Sequence, residues 1–395
     1  MYLGLSLIIY SPYLTFLPVI YLIYHLIKKE KLVLGNAWSM GLFLLFIWSS
    51  FVSLINSQIL SFLASLGILA FLIVTIYVQE TYRTEEMMMK VLHSIFIISI
   101  GSAFIGVLEA LKVINYDPAW WKYLLGIRQL GSIDVNRISG TFNNPNLAGT
   151  WYAIMILLGF YFFNKNEGRK KWFYAIVTVL YLIVLFWTGS RGGAIGLIIG
   201  FATYFYFLGH KKKVISILVM FLSGTILMLN YPQWFPRGNS LFATIDGRVS
   251  IWENAVYMFV IKPITGWGLM GIYTSNNYVF NKYRAFHAHN IPLTIATTLG
   301  LIGLAIFIWM IWELFKEIKV LYRFKNQLTP LLAAIQAAIL GQGLFDFTIM
   351  SPQVGILFVA SATMIETLAY SYQPSLVPYY FAIRLKQKKQ QKSIV

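Results

Sequence analysis

Residues 59–78 read ILSFLASLGILAFLIVTIYV, an unbroken apolar run without a single charge. A hydrocarbon core of about 30 Å takes roughly 20 helical residues to cross, so this stretch reads as a membrane helix. Outward from it, similar runs bounded by charged or Pro/Gly/Asn-rich segments recur at 3–27, 35–55, 91–111, 146–163, 172–188, 192–209, 214–230, 291–315, 329–345 and 353–372. Pro12 and Pro18 mark a kink or a half-inserted segment in the first run. The first 27 residues carry neither a basic start nor a small-residue cleavage site, so they read as a membrane helix and not as a signal peptide. The expected fold is all-α: a polytopic membrane bundle of about 11–12 helices forming one integral membrane domain over 1–395. A large, partly helical outer loop is expected at 231–290 and a basic cytoplasmic tail at 373–395.

Composition supports this class. Of the 395 residues 58% are hydrophobic and 11% charged, with a mean hydropathy of +0.69, against about 25% charged residues in soluble domains. The absence of cysteine excludes disulfides, thiolate metal sites and a cysteine nucleophile. The net charge of +17 needs to be located before it is read as a sign of nucleic acid. If the loops alternate sides, one set holds 21 of the 31 basic residues, 17 of them lysine. By the positive-inside rule this set is cytoplasmic, and the long connections 112–145 and 231–290 face outward. The basic excess is then topological, membrane lipids are the expected surroundings, and no nucleic-acid partner is expected.

The outer set differs in kind. It holds Arg128, Arg137, Arg191, Arg237, Arg248 and Arg284 beside Lys112, Lys122, Lys262 and Lys282. Orientation requires only positive charge, whereas a guanidinium grips phosphate or carboxylate in two places. An anionic ligand at the outer face is one reading; snorkelling to headgroups, or pairing with Asp117, Asp134, Asp246 and Glu253, is the other. Three motifs bear on the choice. Arg137-Ile-Ser-Gly-Thr-Phe-Asn-Asn144-Pro145-Asn146 runs into the fifth helix, with Asn144 as N-cap and Pro145 as first helical residue. Thr188-Gly-Ser190-Arg191-Gly-Gly193 is a tight turn with an arginine at a helix start, and Ala288-His289-Asn290-Ile-Pro292 places an asparagine cap before another helix. All three helix N-termini should face outward, where free N–H groups and the helix dipole favour an anion. Ordinary capping accounts for the asparagines and prolines but does not call for Arg191.

Within the second outer loop, Ile251, Trp252, Ala255, Val256, Phe259 and Val260 recur at helical spacing. They predict an amphipathic helix capped by Asp246 and stopped by Pro263, with Arg248 in its first turn. Trp252 and Trp267 suit either a sugar face or an interfacial aromatic belt. His289 is the candidate base, since histidine is the side chain best matched to proton uptake near neutral pH. Asp346, in the turn Phe345–Pro352, is placed to orient that imidazole or a sugar hydroxyl. No phosphate-cradling Gly-x-x-x-x-Gly-Lys loop, nucleophile elbow or His/Glu pair at metal spacing occurs, and outer acids are too few for a magnesium site.

The ordered set Arg137-x-x-Gly-Thr-x-x-Asn-Pro-Asn146, Ser190-Arg-Gly-Gly, Gly247-Arg-x-x-x-Trp252 with Pro263-x-x-Gly-x-Gly268, and Ala288-His-Asn before Leu299-Gly-Leu-Ile-Gly303 resembles the O-antigen ligase and O-antigen polymerase superfamily over about 137–352. The resemblance implies a multi-pass protein of the bacterial cytoplasmic membrane, with its active site on the extracytoplasmic side. It also implies metal-independent, cofactor-free transfer of a glycan from undecaprenyl diphosphate to a glycan or lipid acceptor. Carried over residue by residue, Arg191, Arg248 and His289 are the functional positions, the arginines holding the diphosphate and the histidine acting as base, with inversion at the anomeric carbon. Arg137, Asn144, Asn146, Ser190, Trp252, Asn290 and Asp346 are the expected substrate contacts, and no metal ligand is expected. His287 has no counterpart in the family pattern; eleven helices would also put the N-terminus outside, unlike members with both ends in the cytoplasm. Polymerisation of repeat units uses the same donor chemistry as ligation. Anion transport would call for ionisable residues deep in the helices, where this chain has few, Glu109 and Glu366 among them.

Overall fold

The computed structural model describes residues 2–28, 31–114, 119–127, 137–235, 237–275, 285–376 and 381–384. In chain order the helices are α1 (Tyr2–Tyr10), α2 (Phe16–Ile27), α3 (Ala37–Ile55), α4 (Ile59–Thr81), α5 (Glu85–Ala110), α6 (Trp120–Leu124), α7 (Pro145–Lys165) and α8 (Gly168–Thr188). They continue with α9 (Arg191–Phe207), α10 (Lys211–Asn230), α11 (Leu241–Ile261), α12 (Gly271–Thr274), α13 (Ile291–Arg323), α14 (Thr329–Gln342) and α15 (Pro352–Tyr372). Two four-residue strands, β1 (Lys31–Leu34) and β2 (Phe381–Arg384), pair antiparallel with Lys31 opposite Arg384. The protein is an all-α polytopic membrane bundle to which this small strand pair is an addition. Arg128, Lys282, Arg284, Asp117, Asp134 and the tail beyond residue 384 lie outside the described residues.

Each of the eleven apolar runs is helical, and the first divides into α1 and α2 around Pro12, whose ring cannot continue the hydrogen-bond ladder. Among the described residues, eight helices are long and apolar enough to cross a membrane. The short α14, at about 1.5 Å per residue, falls below the core thickness, but nearly all its residues are buried among other helices, so no backbone is left facing lipid. At the opposite extreme α10 buries no residue at all, and Ile215, Met220, Leu222 and Ile226 are each at least 60% exposed. An apolar patch of that kind is untenable in water and identifies lipid as its solvent.

The centre is α7, whose Trp151, Tyr152, Ile154 and Leu158 are fully enclosed. The helix α9 reaches α7 and α14 by a face of small residues: a methyl group added at Gly193 would lie 2.8 Å from the Gly149 backbone, and one at Gly196 2.6 Å from Ala338 O. Such faces bring membrane helices together where no hydrophobic effect drives them. Two buried acids hold the backbone of neighbouring segments. Glu109 accepts from the N–H groups of Ser139 and Gly140, and Glu366 from those of Ala37 and Trp38 at the start of α3.

The helix α13 is broken at Gly300, where φ is 65° and ψ −168°. A β-carbon there would lie 2.0 Å from Ile264 O, so glycine is required by space as well as by conformation. The groups released by the break are taken up by the segment after α11. Trp267 and Gly268 donate to Thr297 O and Thr298 O at 3.1 and 2.8 Å, Leu301 N–H donates to Pro263 O at 2.8 Å, and the Trp48 indole donates to Leu299 O at 2.7 Å. The 23 residues below the break span about 34 Å, enough for the hydrocarbon core, while the upper turns belong with α11. A second, small core of Ala255, Met258, Ile272, Ala285 and Ala288 completes that upper layer.

One expected boundary is corrected. The helix α11 begins at Leu241 with Ser240 at the N-cap position, so Asp246 is an exposed interior residue and Arg248 lies two turns in. Nothing between Ser240 and Asp246 stops a helix, and the lone Gly247 costs only about 1 kcal/mol. The expected stop before Pro263 holds, since the helix ends at Ile261.

Candidate functional site

Four helix starts, those of α7, α9, α13 and α15, lie at one end of the bundle with the turn 343–351 and the first turns of α11 around them. The opposite end is marked by Lys165, which donates to Gln327 at 2.9 Å, and by Asn326, which donates to Glu85 at 2.7 Å.

A chain of hydrogen bonds crosses the first end. Arg137 donates through Nε to Thr188 O and through Nη2 to Asn146 Oδ1, both at 2.7 Å. The Asn146 amide donates to Asp346 Oδ2 at 2.7 Å, and Asp346 Oδ1 accepts from His289 Nδ1 at 2.9 Å. A carboxylate only accepts, so His289 carries a proton on Nδ1, and Nε2 is the ring nitrogen not held by the acid. Burial alone would raise the Asp346 pKa, but the charges of His289 and His287, the His289 hydrogen bond and the Phe347 N–H outweigh it and hold the carboxyl below its usual range.

His289 itself has φ 50°, a left-handed conformation uncommon outside glycine. Its backbone N–H donates to His287 Nδ1 at 3.1 Å and the two rings meet edge to face at 4.4 Å. Burial, then the neighbouring charges of His289 and Arg248, push the His287 pKa down to about 4 against the pull of Asp346. His287, His289 and Asp346 offer three ligand atoms within 4.8 Å of one another, a set that the sequence reading, expecting no metal, did not anticipate. The cationic surroundings and the mutual hydrogen bond of His289 and Asp346 both work against a divalent ion there.

Beside this relay three guanidinium groups converge. Arg191 feels the like charges of Arg237 and Arg248, and Arg248 feels Arg237 and the opposite charge of Asp346. Arg191 Nη2 donates to Thr244 Oγ1 on α11 at 2.9 Å, while its Nη1 is buried without a partner. Desolvation followed by Arg237 lowers the Arg248 pKa, with Asp346 opposing. Arg237 packs over the Gly189 turn beside Arg137, each within 3.6 Å of where a Gly189 β-carbon would stand.

The structure thus brings Arg191, Arg248, His289, Arg137, Asn146 and Asp346 to one end. Asn144, Ser190 and Asn290 cap α7, α9 and α13, accepting from Asn146, Gly193 and Leu293 N–H at 2.7, 3.1 and 2.9 Å. Their side-chain oxygens are engaged by those helix starts, while the Asn290 amide reaches Leu344 O at 3.1 Å. Trp252 lies one turn beyond Arg248 with its Nε1 buried and unpartnered. Sequence reasoning left Arg237 and His287 out of the site. The arginine bias of the outer set was the only signal for the first, and the pairing of the second with His289 depends on a left-handed turn that spacing does not reveal.

A family profile described as O-antigen ligase matches residues 176–308. The chain is 28% identical over 186 residues to a Rickettsia typhi protein provisionally named polysaccharide ligase, covering 43% of this chain and 44% of that protein. A Rickettsia prowazekii protein of the same provisional name is 29% identical over 188 residues with the same shares, and an uncharacterized Haemophilus influenzae protein is 23% identical over 145 residues, 32% of this chain and 36% of that one. The matched segment spans less than half the length of these curated relatives. Over the third of the chain that carries Arg191, Arg248 and His289, the resemblance to the O-antigen ligase superfamily is therefore shown.

Proposed function

We propose that this chain is a membrane glycan ligase that moves a glycan from undecaprenyl diphosphate to an acceptor hydroxyl on the extracytoplasmic face. The observation that carries the reading is the buried, partnerless Nη1 of Arg191 within a cluster of three like-charged guanidiniums. Three cations gathered at half-buried positions call for an anion, and a diphosphate supplies charge and paired oxygens for planar donors. In the reaction the acceptor oxygen attacks the anomeric carbon as the bond from that carbon to the diphosphate oxygen breaks. The electron pair leaves with the diphosphate, where Arg191 and Arg248 stabilise it. The acceptor proton passes to His289 Nε2, while Asp346 fixes the ring through Nδ1. Attack opposite the leaving group inverts the linkage.

Anion transport is disfavoured by the roles of Glu109 and Glu366, which are bound to backbone N–H groups. Ligation and repeat-unit polymerisation separate on product length, a single transfer against a ladder. In purified protein reconstituted with lipid-linked donor, Arg191→Ala, Arg248→Ala and His289→Ala should each reduce transfer by about a hundred- to ten-thousand-fold. Near wild-type transfer by Arg191→Ala or His289→Ala would refute the assignment, and loss of wild-type activity on adding a chelator would replace the histidine base with a metal held by His287, His289 and Asp346.

A further inference from the structure

Gln342 is the last residue of α14 and is 1% exposed, at the arginine end of the bundle. Its amide meets α7: Nε2 donates to Asn146 O at 3.0 Å, and Oε1 accepts from the Thr150 hydroxyl one turn along. A main-chain carbonyl only accepts, so the Asn146 oxygen fixes which way the amide is turned. The stem of the same side chain lies against α9. A methyl group added at Gly192, the residue after Arg191, would stand 3.3 Å from Gln342 Cγ, and one at Gly196 would stand 3.3 Å from Gln342 Cβ.

The backbone supplies a third connection. Gln342 O accepts from Phe345 N–H at 2.8 Å and from Asp346 N–H at 3.1 Å, closing the turn that presents the Asp346 carboxylate. The next two carbonyls hold the start of α13: Gly343 O accepts from Ile291 N–H at 2.7 Å, and Leu344 O from the Asn290 amide at 3.1 Å. These connections meet the relay at Asn146, whose side chain bridges Arg137 and Asp346 while its main-chain oxygen is held by Gln342. One side chain and its carbonyl thus touch the first turns of α7 and α9 and the turn of Asp346. An amide buried for packing alone would be exchangeable for a hydrocarbon of the same size without effect on chemistry.

We propose that Gln342 is a positioning residue for the transfer reaction proposed above, on which this inference rests. It acts through Asn146, keeping the Asp346 carboxylate on His289 Nδ1 in fixed relation to Arg191. Misplacing reacting groups by about 1 Å costs on the order of a hundred-fold in rate. The exchange for hydrocarbon is a clean one, because the Thr150 hydroxyl also lies 3.0 Å from Asn146 O and pairs with it once the amide is gone.

The full-length protein is reconstituted with lipid-linked donor, and kcat, donor KM and melting temperature are measured for wild type, Gln342→Leu, Gln342→Glu, Asn146→Ala and the double variant Gln342→Leu with Asn146→Ala. In Gln342→Leu kcat should fall roughly ten- to a hundred-fold while donor KM stays within about threefold. The double variant should be no slower than Asn146→Ala, since both changes cut the same connection. Glutamate at 342 donates to Asn146 O only when it carries a proton, so the rate of Gln342→Glu relative to wild type should climb as pH is lowered from about 8 to about 6. Wild-type kcat in Gln342→Leu, losses that multiply in the double variant, a pH-independent ratio for Gln342→Glu, or a rate loss that follows a lower melting temperature overturns the proposal. If Asn146→Ala, Arg191→Ala and His289→Ala all transfer like wild type, the reading of the whole site falls and this inference with it. If those three are impaired and Gln342→Leu is not, only this inference falls.

Discussion

His289 joins strained backbone and candidate chemistry at one residue. Its left-handed φ of 50° costs about 1 kcal/mol relative to glycine, yet a glycine would remove the imidazole. His289→Gly relieves that strain but strips buried Asp346 of its imidazole partner, so the two effects oppose and the melting temperature should change little, while transfer falls at least about a hundred-fold, which separates the chemistry from the fold in one variant. Asp346→Asn should keep the shape of the turn but lose the carboxylate that fixes the Nδ1 proton, lowering transfer on the order of a hundred-fold. His287 gives a stability effect with a definite sign. A free histidine protonates near pH 6.5, but burial and the neighbouring cations hold this one down to about 4. Between those values the unfolded chain binds a proton that the folded chain refuses, so stability falls as pH drops through that window. The lowered Asp346 keeps its stabilisation above its ordinary value of 3.8 and loses it only further down, so it does not mask the slope. The melting temperature of wild type should decline from pH 6.5 to 4, and that of His287→Gln should decline less. Arg191, Arg248 and His289 were legible in sequence because each stands at a motif with an otherwise unexplained cation or imidazole. Arg237 was not, since only the folded turn at Gly189 shows that it faces the others.

At the scale of elements, lipid makes sequence unusually readable. A helix that faces hydrocarbon must be apolar for its whole length, so all eleven runs emerged as helices. The misread start of α11 has the opposite cause: it lies outside the spanning segments, and capping chemistry at Asp246 competed with a weaker signal at Ser240. The break in α13 was also hidden, because Leu299-Gly-Leu-Ile-Gly303 continues the apolar pattern while the backbone departs from it. The small-residue face of α9 carries a prediction. In Gly196→Ala the new methyl group meets backbone at Ala338 O, which cannot swing away as a side chain would. Overpacking of this kind costs about 1–3 kcal/mol. The melting temperature should drop, and transfer should fall with it because Arg191 heads the displaced helix.

Across the whole molecule, the candidate site draws on residues from Arg137 to Asp346, so no single helix or short fragment contains it. Ligand occupancy should then be felt by the entire bundle. A polyprenyl diphosphate at 100 times its Kd adds about 2.7 kcal/mol of stability to a protein that binds it only when folded. Wild type should show the corresponding rise in melting temperature and Arg191→Ala should show little. The joint at Gly300 has a further consequence. The short upper rod beside His289 is stitched to the segment that follows the Arg248 helix, whereas the long lower rod answers to the bilayer. Thinner or thicker membranes can tilt the lower rod without prising His289 from Arg248. Catalytic turnover should accordingly be insensitive to acyl-chain length, and a substitution that stiffens the joint should make it sensitive.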